Sequence, residues 1–198
     1  NLSNGRLTNL DGIDATFVEG DICDPPMVDD VLDGASAVVH LAALGSVPRS
    51  VENPLATHHN TATGTLQVLE GARRAGGLHT IVASSSSVYG ATPDLPKHEG
   101  LPTRPMSPYG ASKLATEWYA LAAQHAMGLP ALAFRFFNVF GPLQAADHVS
   151  AAAIPRFLDA AMPGRPVTVF GDGKQSRDFT YVDTGCATLT RAVLEGTT

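Results

Sequence analysis

The chain has 198 residues, with 13 Lys plus Arg against 19 Asp plus Glu, a formal charge of −6 and 44% apolar residues. That composition suits one globular domain, or one and a half, and excludes a disordered or fibrous chain. The acidic balance and a sequence pI near 5.5 leave no basic surface for a phosphate backbone, so nucleic acid is not an expected partner.

No stretch approaches the ~20 consecutive apolar residues of a membrane helix, and the opening NLSNGRLTN lacks the basic-then-apolar pattern of a signal peptide. A cytoplasmic protein with no membrane partner is the expectation. Cys23 and Cys186 have neither a CxxC spacing nor a neighbouring histidine at metal-ligand spacing, so both read as ordinary thiols. The chain starts at Asn1 and ends in LEGTT, which suggests a piece of a longer protein.

Short apolar runs alternate with longer segments of helical period, the pattern of βαβ units and a parallel sheet. Strands are expected at Ala15 to Val18, Ala37 to Ala43, Thr80 to Ala83 and Ala131 to Phe137. Thr61 to Ala75, with Leu66, Leu69 and Ala72, reads as a helix stopped by Gly76-Gly77. Pro108 to Ala126 reads as a second helix, opened by Ser107-Pro108 and carrying Leu114, Trp118, Leu121 and Ala122 on one stripe. Beyond Gly141-Pro142 the texture changes. Leu143 to Ser150 is polar and irregular, Ala151 to Ala161 looks helical, and Pro166 to Phe170 looks like a strand. A soft boundary therefore falls near Gly141.

Tyr109 and Lys113 stand four apart at the start of the second helix and so share a face. An ammonium beside a phenol favours the phenolate and would bring a pKa of ~10 toward neutrality, where the tyrosine can act as a base. The plain alternative is a solvated tyrosine and a surface lysine. The serine run at residues 83–90 follows a buried-strand candidate, which puts its hydroxyls at the carboxyl edge of the sheet, where open α/β sheets bind ligands. It could equally be a polar exit from the strand. His58-His59 reads as solvated rather than metal-binding, His40 as a satisfied core histidine, and Trp118 and the phenylalanines of RFFNVF as core packing.

HLAALGSVPRS (40–50), ENP (52–54), Asn60, the serine run, SPYGASK (107–113), RFFNVFGP (135–142) and GDGKQSRDFTYVDT (171–184) follow one another along almost the whole chain. In that order they resemble the extended short-chain dehydrogenase/reductases, more narrowly the nucleotide-sugar 4-epimerases. The string AALGSVPRS points to the branch acting on UDP-N-acetylhexosamines and their uronic acids. The resemblance implies an α/β fold with a Rossmann-like doubly wound parallel sheet over residues 1–141 as the NAD-binding domain. Residues 142–198 would begin a smaller nucleotide-sugar-binding region. Tyr109 would be the catalytic base, Lys113 would hold the nicotinamide ribose, and Ser85 or Ser86 would bind the sugar hydroxyl. Asn1, Asn4, Asp21, Ile22, Leu41, Ala42, Ala43, Asn60 and Phe136 would be further NAD contacts. Gly45, Ser46, Arg49, Asn138 and Arg177 would join the serines in holding the UDP-sugar, arginine being suited to pyrophosphate by its planar fork. A homodimer through a bundle of the two long helices is also implied. Without the motif, Arg49 and Arg177 would be surface ion-pair residues and Asn138 a turn residue.

The sequence departs from the pattern in one respect: no GxxGxxG turn occurs in it. The first strand-helix unit is therefore expected to be missing, along with the end of the sugar-binding region. The chain alone is expected to bind NAD weakly or not at all. Ser86 and Ser87 stand where a sister 4,6-dehydratase carries Asp and Glu and a decarboxylase a Glu, which favours epimerisation. A dehydratase or decarboxylase, and a redox-inert binding module, remain the alternatives.

Overall fold

The computed structural model describes residues 2, 5–144, 153–169 and 171–198. Its centre is a parallel three-stranded sheet of β1 (Ala37–His40), β2 (His79–Ser85) and β3 (Ala131–Phe136), in that order. Val39 lies opposite Ile81, and Val82 opposite Ala133. Two further strands, β4 (Asn138–Phe140) and β5 (Phe179–Tyr181), form a separate parallel pair.

Helices cover both faces, as near-continuous apolar parallel strands require. On one face lie α1 (Pro25–Leu32), α4 (Gly64–Arg74) and α5 (Pro108–Met127), reached through the short helices α2 (Val47–Glu52) and α3 (Pro54–His58) and a π turn at His59–Thr63. Val28, Leu32, Leu69, Ala72, Val82, Ala120 and Leu129 close the core between them. The helix α6 (Ala153–Ala161) follows β4, and α7 (Val182–Glu195) returns to pack on β2 and β4. Strand alternation separates the faces of β1. His40 reaches Thr65 of α4, while Val39 shares a groove with Leu189 and Val193 of α7.

The expected helices form, and so do three of the expected strands. Gly76 and Gly77 both take positive φ, 97° and 82°, to end the α4 segment. Ser107 caps α5 by accepting from Gly110 N–H at 3.0 Å, with Pro108 in the first turn. Ala15 to Val18 is not a strand: it has no ladder partner among the described residues and lies exposed. The segment 166–169 is likewise irregular, and Phe170 lies outside the described residues. β1 ends at His40, three residues before the expected end.

The buried face of α5 is the reverse of the expected one. Trp118 is 58% exposed, while Ser112, Lys113, Thr116 and Glu117 are buried. These polar side chains can point inward because partners wait there: Thr116 meets Thr65 at 3.1 Å and Glu117 meets Ser84 at 2.9 Å. The phenylalanines of RFFNVF are half-buried rather than core, and Phe137 is exposed.

His40 is a satisfied core histidine. Thr65 Oγ1 donates its one proton to the Thr61 carbonyl at 2.6 Å, so it accepts from His40 Nε2 at 3.0 Å. Burial, with a smaller push from the Lys113 charge, lowers the imidazole pKa from 6.5 to about 4. Between those values the unfolded chain binds a proton that the native chain refuses. Stability contributed by neutral His40 is therefore lost as pH falls from 6.5 toward 4, by about 3 kcal/mol at the lower end. Thermal melts of wild type and His40→Gln should diverge at pH 7 and converge toward pH 4; curves that stay parallel would show that His40 is not the proton acceptor.

Candidate active site

β2 runs out of the core at Ala83 and ends on serines. Ser85 Oγ accepts from Ser87 N–H at 3.2 Å and from the Ser87 hydroxyl at 2.9 Å, folding Ser86–Tyr89 into a 3-10 turn. The first turn of α5 lies directly on this turn, where a Cβ on Gly110 would stand 2.9 Å from the Ser87 carbonyl oxygen. Glycine at 110 therefore lets Tyr109 reach the serines.

Tyr109, Lys113, Ser84 and Ser85 line a cleft of about 400 Å³ at the carboxyl ends of β1, β2 and β3, together with Leu41, Ala43, Gly45 and Phe136. Its far wall is α7, through Val182, Gly185, Cys186 and Leu189. Tyr109 and Ser85 face each other in this cleft. Burial pushes the phenol above its usual 10, and the nearby Ser85 hydroxyl works against that rise. The expected lowering by Lys113 is not what the structure has. Lys113 Nζ is turned to the Ala83 carbonyl oxygen at 2.6 Å, and burial lowers its pKa from 10.5 to about 8. A desolvated ammonium satisfies itself first on the nearest carbonyl.

Residues 1–197 match the NAD dependent epimerase/dehydratase family. The chain belongs to that family. It is 41% identical over 150 residues to the UDP-glucuronate 4-epimerase of Thermodesulfobacterium geofontis, covering 75% of this chain and 45% of that protein. It is 36% identical over 180 residues to the dTDP-glucose 4,6-dehydratase of Streptomyces niveus, covering 91% and 52%. The solved UDP-N-acetylglucosamine 4-epimerase of Methanobrevibacter ruminantium M1, in complex with UDP-N-acetylmuramic acid, superposes with a TM-score of 0.89 at 37% identity, over 94% of this chain and 61% of that one. The chain thus spans about half the length of the curated relatives it matches.

Within this epimerase/dehydratase chain the structure gathers only some of the residues implied by the sequence. Tyr109, Lys113, Ser85, Leu41, Ala43, Gly45 and Phe136 share the cleft. Ile22, Leu41 and Ala42 line a second, apolar groove on the α1 side of β1. The other described ones line neither space. Ser86 sits in the 3-10 turn, and Asp21 is exposed with its carboxylate accepting from Cys23 N–H at 2.9 Å. Asn60 donates to the Ala56 carbonyl at 2.9 Å within the π turn. Ser46 caps α2 by accepting from Arg49 N–H at 3.2 Å, and Asn138 donates to the Asp178 carbonyl at 2.9 Å across the β4–β5 pair. Arg177 lines a separate cleft of about 710 Å³ with Arg156 and Arg165. Asn1 and Asn4 lie outside the described residues. The sequence reading missed the α7 wall, and it missed Glu117, although Tyr109, Lys113 and Glu117 repeat every four residues on one face.

The family is NAD dependent, and the residues present suit the nicotinamide-ribose half of that group. Among the described residues Lys113 Nζ is bonded only to the Ala83 carbonyl, which leaves donors for a ribose diol. Leu41, Ala43 and Phe136 give apolar walls for a planar ring.

Proposed function

We propose that the protein is a nucleotide-sugar 4-epimerase acting on a UDP-hexose, either a UDP-N-acetylhexosamine or its uronic acid form. The observation that carries this reading is that Tyr109, Lys113 and Ser85 share a cleft whose lining, among the described residues, includes no carboxylate. Tyr109 takes the proton of the sugar 4-hydroxyl and later returns one to the same oxygen. With the sugar bound, Ser85 turns its one proton to that oxygen, while Lys113 and Leu41, Ala43 and Phe136 would hold the nicotinamide half of NAD. When bound, NAD supplies the hydride acceptor and donor, and the positive ring charge of its oxidised form favours the phenolate of Tyr109. Elimination of water would need a further acid or base to move a second proton, and Ser86 and Ser87 provide none. Arg177 in its arginine-lined cleft suits the diphosphate. The relatives named as UDP-sugar 4-epimerases support the reading.

The test is incubation of the intact protein with UDP-N-acetylglucosamine and with UDP-glucuronate. Formation of the matching galacto epimer with no net NADH supports the reading; a 4-keto or pentose product rejects it. Ser85→Ala should lower kcat about 100-fold, the scale of one lost oxyanion donor. Ser86→Ala should stay within about 3-fold, because its side chain does not line the cleft. Equal losses in a steady-state comparison would refute this division.

The outward stripe of α5 supports a homodimer. Trp118 and Tyr119 are exposed there, and Leu55 of the adjoining α3 is 81% exposed. Trp118→Glu should give monomers by light scattering with little change in melting temperature. A wild-type monomer, or a dimer that survives the substitution, would contradict this interface.

A further inference from the structure

Buried Glu117 and half-buried Arg135 form an ion pair, with side chains 7% and 15% exposed, that meets the cleft through Ser84. Glu117 lies one turn beyond Lys113 and two beyond Tyr109 on the inner face of α5, and Arg135 lies on β3. Arg135 grips the carboxylate as a fork, Nε to Oε2 at 2.9 Å and Nη2 to Oε1 at 2.5 Å. Glu117 Oε2 also accepts from the Ser84 hydroxyl of β2 at 2.9 Å. On its other side Arg135 Nη1 donates to the Tyr89 hydroxyl at 3.0 Å, and the guanidinium lies 4.9 Å from the centre of the Tyr89 ring. One charge pair thus ties together α5, β3, the last residues of β2 and the 3-10 turn that Ser85 caps. An ion pair this buried is costly to desolvate and is weak evidence for stability in itself, so its geometry calls for another reason.

We propose that Glu117 and Arg135, with Ser84 and Tyr89, are positioning residues that set where Tyr109 stands against Ser85 in the cleft by fixing the pitch and depth of α5 against the end of β2. The inference rests on Tyr109 being the base of the proposed reaction. Ser84 and Ser85 are adjacent, so anchoring the Ser84 hydroxyl to α5 fixes how far the chain can turn before Ser85. Gly110 sits against the Ser87 carbonyl, so a shift of the turn carrying Tyr89 moves the surface on which Tyr109 rests. Among the described residues the other titratable groups facing the phenol are Lys113 on its own helix and Cys186 across the cleft on α7, with His40 of β1 feeling the Lys113 charge.

The test uses the intact protein labelled with 13C at tyrosine Cζ, the Tyr109 resonance being assigned through Tyr109→Phe. Ser84→Ala removes the donor to Glu117, and Tyr89→Phe removes the acceptor of Arg135 while keeping the ring. Glu117→Gln breaks the charge pair itself; should it fail to fold, the two milder variants carry the test. In folded variants the Tyr109 titration midpoint is expected to rise by about half a unit, since moving Ser85 away from the phenol leaves burial less opposed. Turnover of the UDP-sugar should fall about 10-fold in kcat with KM within about 2-fold. A lower melting temperature with an unmoved midpoint and unchanged kcat would mean a merely structural role and overturns the proposal. If the wild type turns over no UDP-sugar yet the midpoint moves in the variants, the positioning role stands and the epimerase reading fails.

Discussion

Tyr109→Phe is expected to lower kcat about 1,000-fold, within the range that general acid–base groups contribute. The substitution removes one oxygen from a cleft residue and leaves the ring, its packing and the Gly110 contact in place. Loss of one hydroxyl and any hydrogen bond it makes should cost no more than about 1.5 kcal/mol of stability, so the protein remains folded and the KM for the nucleotide sugar should change little. In the wild type, activity should climb with pH as the phenol loses its proton. The limb should lie higher than that of a solvent-exposed tyrosine under the same ligands, because burial disfavours the phenolate and Ser85 only partly offsets it. Steady-state kinetics across pH 6 to 10 on both proteins decides the matter. A variant that keeps more than about a tenth of wild-type kcat would remove Tyr109 from the chemistry.

Lys113→Met should separate function from stability. Activity is expected to fall about 100-fold, because the side chain that would hold the nicotinamide ribose in place is gone. Stability should respond differently. Lys113 has a native pKa of about 8 against 10.5 unfolded. Between these values the unfolded chain holds a proton that the native chain has released, so wild-type stability rises with pH through that window. Below pH 8 both states are charged and the whole desolvation cost is present. The rise amounts to about 3 kcal/mol across the window, and it should be absent from the methionine variant. Denaturant unfolding at pH 7.5 and 10.5 measures it directly. Equal pH dependence in the two proteins would place the Lys113 ammonium in solvent-like surroundings.

The elements that carry the cleft could be read from the sequence because each has a local signature. β1, β2 and β3 are short apolar runs that need both faces covered, and α5 announces itself through Ser107-Pro108 and the Tyr109–Lys113 spacing. What escaped depends on contacts between distant segments. The inward face of α5 is polar, and only the Arg135 fork arriving from β3 and the hydroxyls of Ser84 and Thr65 make that burial affordable. The apolar stripe with Trp118, which on its own terms reads as core, is left outside. Ala15 to Val18 has strand chemistry without a ladder partner among the described residues. The lowering of Tyr109 by Lys113 was inferred from spacing, whereas the nearest acceptor for that ammonium is a carbonyl one strand away. Ser85 and Ser86 were equivalent as sequence; the 3-10 turn puts one in the cleft and not the other.

Epimerisation through Tyr109 requires that oxidation and reduction occur at one carbon. UDP-N-acetylglucosamine carrying deuterium at C4, given to the intact protein and followed by mass spectrometry and NMR, reads this directly. Deuterium is expected at C4 of both the gluco and the galacto product. Deuterium at C6, or its loss alongside a keto product, would contradict it.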